Sequence, residues 1–214
     1  MKIALLGATG HTGKFILSEA LTAGHNISVL VRNPSKLPPG KYGLTIHLGD
    51  ALDADNVEDT IFGQGAVISA LGLSPNGRAD SLSAATANII QAMQANGLRR
   101  LVVIGGAGIL LDDETGRMRL DTPGFPEQYR MFALEHKRIY EALQASNLDW
   151  TLLCPPAMYD EDADSPHDSR SELRVEEDML PKHGRRAAYA AVGSFALGLV
   201  SNGQYIHRRV GVAE

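Results

Sequence analysis

Gly7-Ala8-Thr9-Gly10-His11-Thr12-Gly13 follows directly on the apolar run Ile3-Ala4-Leu5-Leu6. The glycines are spaced G-x-x-G-x-x-G between a buried strand and the start of a helix. Each has a physical job. One lets the chain turn sharply off the strand, one lets backbone approach a diphosphate, and one lets the new helix pack tightly on the sheet. The first free N–H groups of the helix and the positive end of its dipole then attract phosphate. Glycines also make plain turns. The strand before and the helix after are what turn this motif into a dinucleotide site.

Outward from this turn, short apolar strands alternate with helical patterns. Residues 3–6 read as the first strand and 14–23 as the first helix. Further strands are expected at 27–31, 44–47, 66–70, 101–104 and 150–153. Helices are expected at Ser81–Ala95, with Leu82, Ala85, Ile89 and Met93 inward, and at Glu127–Ala145, with Phe132, Ile139 and Leu143 inward. Near-continuous apolar strands signal burial on both faces. The alternation then predicts an α/β, doubly wound parallel sheet, with ligands at the C-terminal ends of the strands. A helix at 187–200 and a last strand at 205–210 complete a smaller C-terminal, substrate-side part over 157–214. With no repeat or linker in view, residues 1–214 are expected to form one domain. Two polar stretches, 112–126 and 160–170, interrupt the rhythm as loops at the ligand edge.

The bulk composition excludes several classes. The chain has 214 residues, 44% hydrophobic and 21% charged, which is ordinary for a globular protein. A net charge of -5 without a Lys/Arg block gives nucleic acid little to hold. The longest apolar stretch, 187–200, is too short to span a bilayer. The lone cysteine, Cys154, cannot form an internal disulfide, and no signal-peptide pattern opens the chain. A cytoplasmic protein with no membrane and no nucleic-acid partner is expected, as a monomer or homodimer. The histidines are scattered, and the acidic run at 160–164 lacks the glycine and final glutamate of a calcium loop, so no metal site is expected.

Cofactor choice is written at the strand ends. The second strand ends in Val31-Arg32-Asn33-Pro34-Ser35-Lys36, without the acid that usually accepts from a ribose 2′-OH. A guanidinium matches a phosphate in fork geometry, so Arg32, with donors from Ser35 and Lys36, favours NADP(H) over NAD(H). Asp50, followed by Ala51, is placed for the adenine amino group, while it or Asp53 could also cap the next helix. Ala70-Leu71-Gly72 opens the backbone toward the ribose and nicotinamide side. Cys154-Pro155-Pro156 ends the sixth strand in an extended wall. Cys154 reads as a small buried apolar residue.

Together the segments GATGHTG, VLVRNPSKL, LGDALD, VISALG, LVVIGGAG and SNLDWTLLCPP resemble the short-chain dehydrogenase/reductase superfamily in its atypical branch. The chain is most similar to the NAD(P)H-binding, NmrA-like proteins, and within them to the biliverdin reductase B / flavin reductase branch. The resemblance implies a Rossmann fold with NADPH lying across residues 7–13, including Thr9, His11 and Thr12, and then Arg32, Asp50, Ala70–Gly72, Gly106 and Pro155. It implies a reductase of flavins, quinones or linear tetrapyrroles; other NmrA-like members bind dinucleotide as redox sensors without catalysis.

One departure matters. The superfamily's usual Tyr-x-x-x-Lys finds Lys137 but Ala133 in place of the tyrosine, and the serine region reads Gly105-Gly106-Ala107-Gly108. Carbonyl reduction needs an acid near the oxygen. An extended π system spreads incoming charge and demands less. The expected activity is therefore NADPH-dependent hydride transfer to a flat conjugated acceptor, with a non-catalytic sensor as the alternative. Tyr129 and His136 share one face of the long helix, seven residues apart, and with Lys137 are the candidate catalytic residues.

Overall fold

The computed structural model describes residues 1–38, 42–73, 80–160 and 173–214. The first half runs β1 (Lys2–Leu6), α1 (His11–Thr22), β2 (Asn26–Val31), β3 (Leu44–Leu48), α2 (Ala54–Ile61), β4 (Ala66–Ser69), α3 (Ser81–Ala95) and β5 (Arg100–Ile104). The second half runs α4 (Glu127–Ala145), β6 (Asp149–Cys154), β7 (Ala157–Tyr159), β8 (Arg174–Glu177), β9 (Arg186–Ala188), α5 (Tyr189–Asn202) and β10 (Arg208–Ala213).

Eight strands form the main sheet in the order β3-β2-β1-β4-β5-β6-β10-β8. All neighbours pair in parallel except β8, which runs antiparallel to β10. The order reverses between β1 and β4, the switch point at which such sheets bind ligands. Strand periodicity divides the core. Ile3 and Leu5 of β1 face one layer with Ile16 and Leu17 of α1 and Val192 and Ala196 of α5. Ala4 and Leu6 face the other, with Val57 and Ile61 of α2, Ile89 and Met93 of α3, and Ile139 and Leu143 of α4. Each Val, Leu, Ile or Met side chain among these, fully buried, contributes roughly 1.5–3 kcal/mol. This is the doubly wound α/β fold that the alternation predicts.

Several boundaries differ from the sequence reading. Helix α1 begins at His11, not at residue 14, because Gly10 holds extended backbone (φ -81, ψ 174) and acts as its N-cap. Strand β3 is an edge strand and not buried on both faces; Leu48 is 70% exposed. Phe132, expected inward, is exposed, and α4 instead buries Ala133, Glu135, Ile139 and Leu143. Ala187 and Ala188 belong to β9, and the helix starts at Tyr189. The last strand starts at Arg208 because Tyr205 and His207 hold left-handed backbone (φ 54 and 58). The polar stretch after β5 carries a short 3-10 turn at Arg119–Asp121. Of the acidic stretch, residues 161–170 lie outside the described residues.

Candidate functional site

The C-terminal edge of the sheet is built from the glycine turn outward. Gly7 has φ +87, and a Cβ there would come 2.4 Å from the carbonyl oxygen of Ala70. A Cβ on Gly13 would lie 2.0 Å from the oxygen of Gly7. The turn is thus wedged between β4 and α1, and neither position admits a side chain. Gly10 is different: the nearest protein atom to its imagined Cβ is the oxygen of Gly7 at 3.3 Å. Helix α1 has no acid in its first turn and no side-chain cap at its N-terminus. Its first free N–H groups and dipole suit an anion supplied from outside the helix.

Beside the turn opens a cleft of about 190 Å³ whose lining includes Gly7, Thr9, Arg32, Asp50, Leu71 and Gly72. Ala51 lines it as well. The Arg32 guanidinium lies 3.9 Å from the Asp50 carboxylate, so the two expected readers of the adenosine end are neighbours. Asp53, not Asp50, caps α2, accepting the N–H groups of Asp55 and Asn56. Ser35 and Lys36 fall outside this cleft. The Ser35 N–H donates to Asn33, and Lys36 borders a separate groove with Lys14, Leu37 and Pro38.

On the other side of β4, the exits of β5 and β6 are tied together. Gly105 N–H donates to Leu153 and Ala107 N–H to Pro155. Cys154 is fully buried, and burial pushes its thiol pKa well above the ordinary value. It is no nucleophile. Pro155 is buried and Pro156 partly so. Against this exit stands α4. Ala133 and His136 face it: a Cβ on Gly108 would lie 2.7 Å from that of Ala133, and one on Gly106 would lie 3.1 Å from His136 Nδ1. Desolvation lowers the His136 pKa to about 4, offset in part by the charge of Glu135. The imidazole is neutral at physiological pH and has no hydrogen-bond partner among the described residues. Lys137 is half-buried next to it, and Tyr129 is exposed near the start of α4.

In sheet order the expected residues stand along one edge: Arg32 and Asp50 at β2 and β3, the glycine turn at β1, Ala70–Gly72 at β4, Gly106 with His136 after β5, and Pro155 at β6. The sequence profile of NAD(P)H-binding proteins matches residues 7–202, which span this whole edge. The chain belongs to the NAD(P)H-binding family. A Bacillus subtilis relative in sequence, the uncharacterised protein YwnB, is 33% identical over 162 residues, covering 75% of this chain and 74% of that protein.

Among solved structures, a candidate NADH-flavin reductase of Streptococcus pneumoniae superposes with TM-score 0.82 at 26% identity, covering 100% of this chain and 99% of the other. A candidate exported protein of Burkholderia pseudomallei superposes with TM-score 0.83 at 28% identity over all of both chains. Among the described residues of this NAD(P)H-binding protein, no helix is long and apolar enough to cross a membrane.

Sequence reasoning missed Ser81, Leu82 and Ala85, where the start of α3 closes the cleft. The signal was the position of that helix directly after the β4 exit. It also passed over Asp160, whose carboxylate meets His11 and Lys14. Nothing in the local sequence joins residues so far apart in the chain.

Proposed function

We propose that this protein is an NADPH-dependent reductase of the biliverdin reductase B / flavin reductase branch, passing hydride to a flat conjugated acceptor such as a flavin, a quinone or a linear tetrapyrrole. The observation that carries this reading is the face that α4 turns to the β5 exit. It bears Ala133, where the superfamily's tyrosine would stand, and a neutral His136 beside it. A ketone reductase would need a strong proton donor there. An acceptor that delocalises the incoming electrons does not.

The bound nicotinamide would supply the hydride from its C4 position. The protein's own residues supply position. Backbone at residues 7–13, with the side chains of Thr9 and Thr12, would hold the diphosphate, and Arg32 the 2′-phosphate. Asp50 and Ala51 would meet the adenine, and Ala70, Leu71 and Gly72 the ribose. Pro155 and Pro156, with Cys154 behind them, would wall the nicotinamide. His136 would face the acceptor as a hydrogen-bond donor from a neutral ring, with Lys137 toward the nicotinamide ribose and Tyr129 at the acceptor's outer edge. Water would supply the proton that completes the two-electron reduction. A single buried cysteine suits a reducing, cytoplasmic compartment.

The test is loss of reduced-nicotinamide absorbance with FMN, a quinone or biliverdin as acceptor. Turnover above the enzyme-free rate supports the reductase. Saturable binding without turnover across that panel would instead favour a sensor of the NADP⁺/NADPH ratio.

A further inference from the structure

The carboxylate of Asp160 sits on two basic side chains of the first turn of α1. Its Oδ2 lies 3.2 Å from His11 Nδ1, and its Oδ1 lies 3.0 Å from Lys14 Nζ. The contact is made across the fold, since Asp160 directly follows β7. One residue pair reinforces it: Thr12 Oγ1 donates to Met158 Sδ at 4.0 Å. The His11 ring is fixed from another side, stacked on Tyr189 at the start of α5 with centroids 4.9 Å apart and planes 22° from parallel. Lys14, chiefly, and His11 hold the Asp160 carboxyl below the ordinary carboxylate pKa, so it is charged at neutral pH.

Helix α1 brings neither an acid nor a side-chain cap to its own N-terminus. Asp160 therefore delivers negative charge to the turn on which a diphosphate would bind. Two anions sharing one turn repel each other, and a diphosphate held there would also compete with Asp160 for the His11 and Lys14 side chains. The repulsion is moderated by solvent, because all three side chains are substantially exposed.

We propose that Asp160 is an internal counter-ion that competes with the dinucleotide diphosphate for His11 and Lys14, and so sets the affinity of the site. This rests on the dinucleotide site read above. The diphosphate is common to both nicotinamide cofactors and to both redox states. The competition thus acts on binding and release alike and leaves the choice between NADP(H) and NAD(H) unchanged. The return of Asp160 to its two partners would hasten departure of the oxidised cofactor after turnover.

The experiment is calorimetric titration of NADP⁺ and of NAD⁺ into the full chain, Asp160→Asn and Asp160→Glu, at low and high salt. Asp160→Asn, which keeps shape and loses charge, is expected to tighten both cofactors by roughly threefold to tenfold. Asp160→Glu is expected to stay near the parent, and the gain of Asp160→Asn to shrink at high salt. Unchanged or weaker binding of both cofactors by Asp160→Asn overturns the proposal, as does a gain confined to NADP⁺. A parent chain that binds neither cofactor overturns the dinucleotide site itself and this inference with it; binding by the parent with no gain in Asp160→Asn overturns the inference alone.

Discussion

His136 is pressed against Gly106: a Cβ on that glycine would come 3.1 Å from the ring's Nδ1 and 3.2 Å from its Cε1. The helix that carries the histidine and the turn that follows β5 thus meet at the C-terminal edge of the sheet. A side chain at 106 would push the imidazole away, so the contact depends on both residues.

The first consequence is a pH dependence of stability. The His136 pKa lies near 4 in the folded chain, against 6.5 ordinarily. The unfolded chain then binds a proton first. Stability from this group is complete above 6.5 and is lost as pH falls from there toward 4. Replacing His136 with Gln removes that titration. The melting temperature of the parent is expected to drop more than that of His136→Gln between about pH 7 and about pH 4.5. Equal slopes would mean the imidazole is charged or exposed. Asp149, held low mainly by its hydrogen bond from Arg99, gives up its contribution below its ordinary value of 3.8, under this window.

The three glycines of the first turn are expected to separate by experiment. Gly13→Ala sets a Cβ 2.0 Å from backbone oxygen, and Gly7→Ala sets one at 2.4 Å in left-handed backbone. Both are expected to cost about 3 kcal/mol or more, read by chemical denaturation. Gly10→Ala meets the backbone oxygen of Gly7 at 3.3 Å and that of Ala70 only at 3.9 Å. It is expected to cost under about 1 kcal/mol while weakening dinucleotide binding roughly tenfold or more, because its methyl group enters the space of the diphosphate.

Much of this arrangement was legible in the sequence, for identifiable reasons. The strands β1, β2, β4, β5 and β6 are short apolar runs buried on both faces, and burial of that kind leaves a mark on composition. Strands β7, β8 and β9 leave none. β8 reads Arg-Val-Glu-Glu and is held by its antiparallel ladder with β10, while β9 has three residues and passes straight into α5. That the glycine turn and Arg32 come to one cleft could be read from spacing alone. Lys36 could not, because the 3-10 turn at Pro34–Lys36 carries its side chain to the other groove. The shared face of α4 was visible as a seven-residue interval, but the packing of His136 depends on Gly106, which comes from the turn after β5.

Arg32 is expected to read the 2′-phosphate. Arg32→Asp should weaken NADPH by about 2 kcal/mol or more, roughly thirtyfold, and NADH by far less. Separate titrations of the two cofactors check this. Equal losses would show that the guanidinium contributes only general charge.

Glu135 is expected to matter for stability although it touches no ligand. It is fully buried on α4, accepting the N–H of Ser83 in the first turn of α3 at 2.9 Å and Arg138 Nη1 at 2.5 Å. Glu135→Ala strands that N–H and opens a cavity, at a cost of roughly 2–4 kcal/mol by urea denaturation. Because Ser81 and Leu82 of the same turn line the cleft, dinucleotide affinity should fall with it. Loss of stability without any change in affinity would separate the start of α3 from the site.

Everything proposed for the site depends on the turn between β1 and α1. Isothermal titration of NADP⁺ into the purified chain, repeated with Gly10→Ala, tests it. Saturable one-site binding by the parent, lost or sharply weakened in a Gly10→Ala protein whose melting temperature falls by no more than about 4 °C, is the expected result. Absence of saturable heat with the parent, or equal affinity in the two proteins, would contradict it.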